Sequence, residues 1–347
     1  MKKKHYILSI ILFIALISGT YFFILKDYSL QEFISSVKNC NIEFIILSFL
    51  CMVLYSFFAA LYNKRMLKHL NIKISWYQAF GYLFTEIFFS GITPSSIGGQ
   101  PVEMMEMKKD GIDYQKNSII ILLNTILYKI ATLLIATLGF TIYFNHILKQ
   151  SKLFVYLFIF GYVSSVILVV FMLLLVYSKT LIPKILYFLV SVGSKIHIIK
   201  NKEAKIQKID QAIKGYQDCA RVTKNKPIIL IESFTILLFQ RLSLLSISYF
   251  VYRALGFNTL TIFELISFQA CLTIACDFVP TPGGVAISEG LLSNINKFIY
   301  SSALATSAVI LLRGISFYLY VLFCGIFYVF FHFIKRHKAI DIKKSNN

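Results

Sequence analysis

Two Gly/Pro breaks interrupt otherwise apolar stretches of this chain, and each is followed by a glutamate. The first reads Gly91-Ile92-Thr93-Pro94-Ser95-Ser96-Ile97-Gly98-Gly99-Gln100-Pro101-Val102-Glu103. The second reads Val279-Pro280-Thr281-Pro282-Gly283-Gly284-Val285-Ala286-Ile287-Ser288-Glu289-Gly290. Paired glycines let the backbone take positive φ and approach a ligand or another helix closely. Prolines free carbonyls that a helix would otherwise bond. A helix starting just after such a break points its amide groups and positive dipole end inward, which makes an anion site, with phosphate the obvious anion. Glu103 and Glu289, near the starts of those helices, can favour the dipole, bond free amides, or hold a cation or amine headgroup. The plainer reading is that each caps its helix. A carboxylate at bilayer depth costs at least ~2.5 kcal/mol, which makes a functional role the default.

The breaks repeat. Gly98-Gly99 and Gly283-Gly284 lie 185 positions apart, about half the chain. A basic residue follows each at matching distance: Lys129 lies 30 residues after Gly99, and Arg313 lies 29 after Gly284. Arg313 stands too deep in its apolar run to snorkel out. Its guanidinium can hold a phosphate bidentately or pair with Glu289. Asp277, three residues before Pro280, is expected to line the second break. Glu86, Glu232, Arg241 and Glu264 are further charges in or beside apolar runs. Catalytic signals are thin: there is no His-x-x-x-His pair, nucleophile elbow or phosphate loop. The six cysteines show no Cys-x-x-Cys spacing and read as free thiols, so neither a zinc site nor a cofactor is expected.

The elements that must position these residues are membrane helices. Apolar residues make up 57% of the 347, and several runs exceed the ~18 that a spanning helix needs. The net charge of +19 gathers in short loops and at the termini, as in a polytopic protein, so nucleic acid is not implied. The charges suit anionic lipid headgroups instead. The expected fold is all-α with six full spans, at 7–25 (uncleaved), 44–62, 118–144, 153–177, 227–252 and 304–332. Two broken hairpins, 76–116 and 261–300, enter from opposite faces; full crossings by both would give eight spans. The chain forms one transmembrane domain. Its halves, about 44–177 and 227–332, read as inverted repeats joined by a basic cytoplasmic segment, 178–226, and both termini are cytoplasmic. Within that segment Ile206, Ile209, Ile213 and Tyr216 share one helix face, opposite several lysines. Such a helix either lies on an anionic membrane surface or packs on its own protein.

The string Pro280-Thr281-Pro282-Gly283-Gly284 with Glu289-Gly290, the earlier Gly98-Gly99-Gln100-Pro101-Val102-Glu103, and Leu312-Arg313 resemble the transmembrane domain of lysylphosphatidylglycerol synthases. Related stand-alone UPF0104-type membrane proteins are similar. The resemblance implies a bacterial plasma-membrane protein that flips anionic or lysyl-modified phosphatidylglycerol, giving resistance to cationic antimicrobial peptides. It also implies a fused lysyltransferase domain, which is expected to be absent because the chain stops at Asn347, fifteen residues past the last span. Two alternatives stand beside translocation: a phosphatidylglycerol lysyltransferase or a subunit of one, and an accessory protein of polyprenyl-linked glycan assembly. A separate lysyltransferase partner and an oligomer are left open. The set of lipid-handling candidates is Glu289, Arg313, Gly283, Gly284, Pro282, Glu103, Gly98, Gly99, Pro101, Lys129 and Asp277.

Overall fold

A computed structural model describes residues 38, 40–93, 97–143, 152–178, 180–195, 202–278, 299–300 and 304–331. Every regular element among them is helical. In chain order these are α1 (Ile42–His69), α2 (Trp76–Ile92), α3 (Gly99–Lys109), α4 (Tyr114–Ile142) and α5 (Lys152–Tyr177). There follow α6 (Leu181–Lys195), α7 (Lys202–Asn225), α8 (Pro227–Ala254) and α9 (Ile262–Cys276). The last, α10, starts as Ala305–Arg313, passes through a π-helical turn at Gly314–Tyr318 and continues to residue 331. Five are long and apolar enough to cross a bilayer: α1, α4, α5, α8 and α10. They match five of the six expected spans. The sixth, at 7–25, lies outside the described residues, as do Pro94–Ser96 of the first break and the whole of the second.

Helices α1 and α8 pack antiparallel and are fastened at both ends. At one end the Asn41 amide donates to the Ala254 carbonyl at 2.9 Å. At the other, Glu232 meets His69 at 2.8 Å and Arg65 at 3.3 Å. That second end also carries Lys64, Lys68, Lys108 and Lys109, and is called the basic end below. Residues such as Ile46 and Val53 on α1, and Phe160 and Ile167 on α5, are exposed and face the acyl chains.

The short helices enter from opposite ends. At the basic end, Ser75 and Gln78 form a capping box that starts α2. There Lys64 donates to the Ile74 carbonyl at 2.6 Å and sits 5.2 Å from the Trp76 ring. Its 17 residues cover about 25 Å at 1.5 Å per residue, less than the ~30 Å hydrocarbon core. Helix α3 returns beside it, and the Tyr82 hydroxyl donates to Asp110 at 2.7 Å. The hairpin therefore opens and closes on one face. Helix α9 starts at the opposite end with its own capping box, Thr261 and Glu264, which makes Glu264 a helix cap. The Leu260 amide donates to the Tyr252 hydroxyl at 3.3 Å, and the Tyr300 ring lies 5.5 Å from the Tyr252 ring. Both flanks of 261–300 thus meet at one tyrosine.

Glycines let the hairpin helices seat closely. A Cβ at Gly91 would meet Val321 of α10 and one at Gly81 would strike Phe331, while Gly325 of α10 receives Phe88. On the other side Gly139 of α4 faces Ser267, and Gly161 of α5 lies against the Ile274 carbonyl. So α2 packs on α10, and α9 packs on α4 and α5. The second half of α7 packs on its own protein: Ile213, Tyr216, Cys219 and Ala220 are buried, and the Tyr216 hydroxyl donates to the Leu175 carbonyl at 3.3 Å. None of the six cysteines forms a disulfide.

An added methyl at Gly161 meets backbone, which cannot swing aside, whereas one at Gly314 meets nothing within 4 Å. Overpacking of this kind costs about 1–3 kcal/mol. Gly161→Ala is expected to lower the thermal unfolding midpoint by several degrees while Gly314→Ala leaves it unchanged or raises it. Labelling of the buried cysteines by a thiol-reactive dye during heating reads both.

Candidate functional site

Charge at mid-depth comes from several helices and is connected. Lys129 is the sixteenth of 29 residues in α4 and is buried. Its ammonium donates to the Asp277 carboxylate at 2.7 Å. Asp277 is the C-cap of α9, where the dipole's negative end adds to the attraction for a cation. Arg313 reaches the same place, within electrostatic range of Cys276. From Lys129 the chain of groups continues through an aromatic ring. The ammonium lies 5.8 Å from the centre of the Tyr128 ring, and the Arg241 guanidinium lies 4.1 Å from it. Arg241 is the fifteenth of 28 residues in α8, at the middle of that helix. A desolvated cation over a π face gains about 2 kcal/mol, too little to offset hydrocarbon burial alone. The carboxylate of Glu86 on α2 lies within electrostatic range of Arg241 and accepts from Ser90 at 3.0 Å. Glu86 and Glu103 in turn feel one another. Glu103, from α3, accepts a hydrogen bond from Asn63 of α1 at 3.1 Å. The result is a polar column from the basic end to the centre, built from α1, α2, α3, α4, α8, α9 and α10.

The first break forms this column's wall. The Gly98 amide donates to Thr93 Oγ1 at 2.9 Å, which ties off the turn. A Cβ at Gly99 would collide with Ser90 and the Glu86 carbonyl, so only glycine lets α3 start this close to α2. Pro101 sits exposed in the first turn of α3, where its missing amide is harmless. Glu103 is the fifth residue of α3, past the first turn, and bonds across to α1. It does not cap its helix. Glu106 beside it is also buried and pairs with Lys109, so the surroundings of Glu103 are drier than its charged neighbours suggest. Glu289, Pro282, Gly283 and Gly284 lie outside the described residues. Glu232 belongs to the clamp at the basic end.

Sequence reasoning missed Asn63 and Tyr128. Asn63 stands immediately before Lys64 and Arg65, where a polar residue needs no explanation; Tyr128 is one more aromatic in a greasy run. The only available signal was adjacency, since Tyr128 precedes Lys129. Among the described residues no three His, Cys, Asp or Glu side chains come together as metal ligands.

Comparison with known proteins gives this architecture a family. The model of the lysylphosphatidylglycerol synthase transmembrane region matches residues 7–324. The chain belongs to that family. A UPF0104 membrane protein of Archaeoglobus fulgidus is 30% identical over 93 residues, which is 27% of this chain and 28% of the relative. The aligned part thus spans little more than a quarter of that relative. The family match contains the whole polar column, from Asn63 to Arg313.

Removing one member of the Lys129–Asp277 pair leaves the other charge stranded. The Asp277 side chain keeps 26% exposure, so the expected loss for Lys129→Met is about 1–3 kcal/mol. Adding Asp277→Asn to Lys129→Met should recover much of it. Thermal unfolding of both single variants and the double variant forms a cycle, and strictly additive losses would show that the two groups are not coupled.

Proposed function

We propose that this protein moves an anionic or lysyl-modified phospholipid, phosphatidylglycerol in the first instance, between the leaflets of the bacterial cell membrane. The observation that carries the reading is the buried Lys129–Asp277 ion pair at mid-depth, with Arg241, Glu86 and Glu103 along the same polar column. A headgroup crossing hydrocarbon brings a phosphate and, in the lysyl form, amines. Lys129, Arg241 and Arg313 suit the phosphate, and the planar guanidinium matches it best. Glu86, Glu103 and Asp277 suit an amine. On this reading Glu289, with Pro282, Gly283 and Gly284, completes the far half of the path as Glu103, with Gly98, Gly99 and Pro101, completes the near half.

The proposal treats 44–177 and 227–332 as inverted repeats. Helices α1 and α8 are both 28 residues long, and their starts lie 185 positions apart, the spacing of the two Gly-Gly pairs. Capping boxes open α2 and α9 alike, from opposite ends. Rocking of such halves about a midplane site is how many transporters alternate access. With the basic end facing the cytoplasm, both termini are cytoplasmic. Delivery of a lysyl lipid to the outer leaflet would lower surface negative charge and so resist cationic antimicrobial peptides. The family description refers to lysylphosphatidylglycerol synthesis, which supports the lipid class.

Lipid scrambling in proteoliposomes tests this, with head-labelled phosphatidylglycerol and external quenching. Wild type is expected to expose protected label quickly, and Arg241→Gln and Glu289→Gln at least tenfold more slowly. Wild-type rates in both variants, each folded normally, would sink the site assignment. A wild type no faster than protein-free vesicles would sink translocation of this lipid.

A further inference from the structure

At the basic end lies a recess that the translocation reading does not use. It is about 240 Å³ in volume and sits between the end of α5 and the last turns of α7. Arg221, Lys224 and Asn225 of α7 line one side. Ser178 and Tyr177 line the other, and Ser178 Oγ accepts the amides of Thr180 and Leu181 at 3.3 and 3.2 Å, fixing that wall to α6. The charge balance is positive. Arg221 meets Asp218 only at 3.9 Å, with both side chains mostly exposed, and such a pair contributes little. Lys224 pairs with no carboxylate among the described residues.

Tyr177 is the last residue of a spanning helix. The recess is therefore level with the border between acyl chains and headgroups. A pocket for a drug-sized ligand usually measures about 300–1,000 Å³, so this one admits a headgroup and not a whole lipid. Phe171 and Leu174, within two turns of Tyr177 on α5, are exposed to the hydrocarbon and offer a track for acyl chains.

We propose that the recess is a binding site for the phosphate group of an anionic phospholipid, held by Arg221 and Lys224, with its chains along α5. Arginine grips the phosphate bidentately and lysine adds a second charge. The site docks α7, the helix joining α6 to α8, onto the headgroup layer. It is separate from the mid-depth column and does not rest on translocation.

Native mass spectrometry of the full-length protein, titrated with short-chain phosphatidylglycerol or phosphatidylcholine, tests the proposal. Wild type is expected to bind the anionic lipid preferentially. The combined variant Arg221→Ala, Lys224→Ala is expected to lose about tenfold in affinity, the usual scale for a lost charge-assisted contact. Lys184→Ala, an exposed lysine on α6, should keep this binding. Release by millimolar inorganic phosphate would support the phosphate site and assign it to a soluble phosphate compound, whereas retention assigns it to the lipid. Unchanged affinity in the combined variant, or equal binding of both lipids by wild type, overturns the proposal.

Discussion

A charge held in hydrocarbon has to be answered by the protein itself, because no water is there to do it, and in this chain that requirement reaches far beyond the charged residues. Lys129 stands at the middle of α4, and its partner Asp277 comes from a helix that begins at the opposite membrane face. For the pair to form, α9 must end at mid-depth. A helix ending there leaves carbonyls unbonded, which hydrocarbon penalises. The backbone break therefore has to be enclosed by other parts of the protein, and α9, which leads into it, packs on α4 and α5. The same reasoning holds on the near side, where α3 starts at mid-depth and Glu103 needs Asn63.

Enclosure in turn depends on close packing. Gly139 and Gly161 bring α9 against α4 and α5, and Gly81, Gly91 and Gly325 bring α2 against α10. Without a hydrophobic drive between helices in lipid, small residues that let backbones approach are the main source of association. The aromatic side chains fill what the glycines leave: the Phe84 and Phe327 rings sit 4.7 Å apart across the α2–α10 seam. Charge placement, short helices and glycine notches are thus one design, and each explains the next.

The spans were legible from hydropathy because a membrane imposes a minimum length. The first hairpin was legible from charge, since Lys64, Lys68, Lys73 and Lys108, Lys109, Lys116 flank 76–104 on one side. Arg313 stood out as too deep to snorkel, and Lys129 as the basic residue at the matching place in the other half. Partnerships were not legible. Lys129 and Asp277 are 148 residues apart, and no periodicity relates them. Arg241 was visible as a misplaced charge, but its Tyr128 ring was not, because an aromatic residue in an apolar span carries no mark of its contact. The buried face of α7 was visible as amphipathic; whether lipid or protein covered it depended on where α5 ends, which the sequence of α7 does not encode.

The crossed packing of the hairpins also constrains how the protein can be made. Helix α2 emerges early from the ribosome, yet the side chains that fill its glycine notches, Val321 and Phe331, belong to the last span. Until α10 is made, that face of α2 has only lipid or the insertion machinery to meet. Helix α4 waits likewise for α9. The first half therefore cannot reach its finished state during synthesis, and a chain cut short before α10 exposes a polar column with one wall missing. Among the described helices, α10 is thus the piece that closes the α2 face.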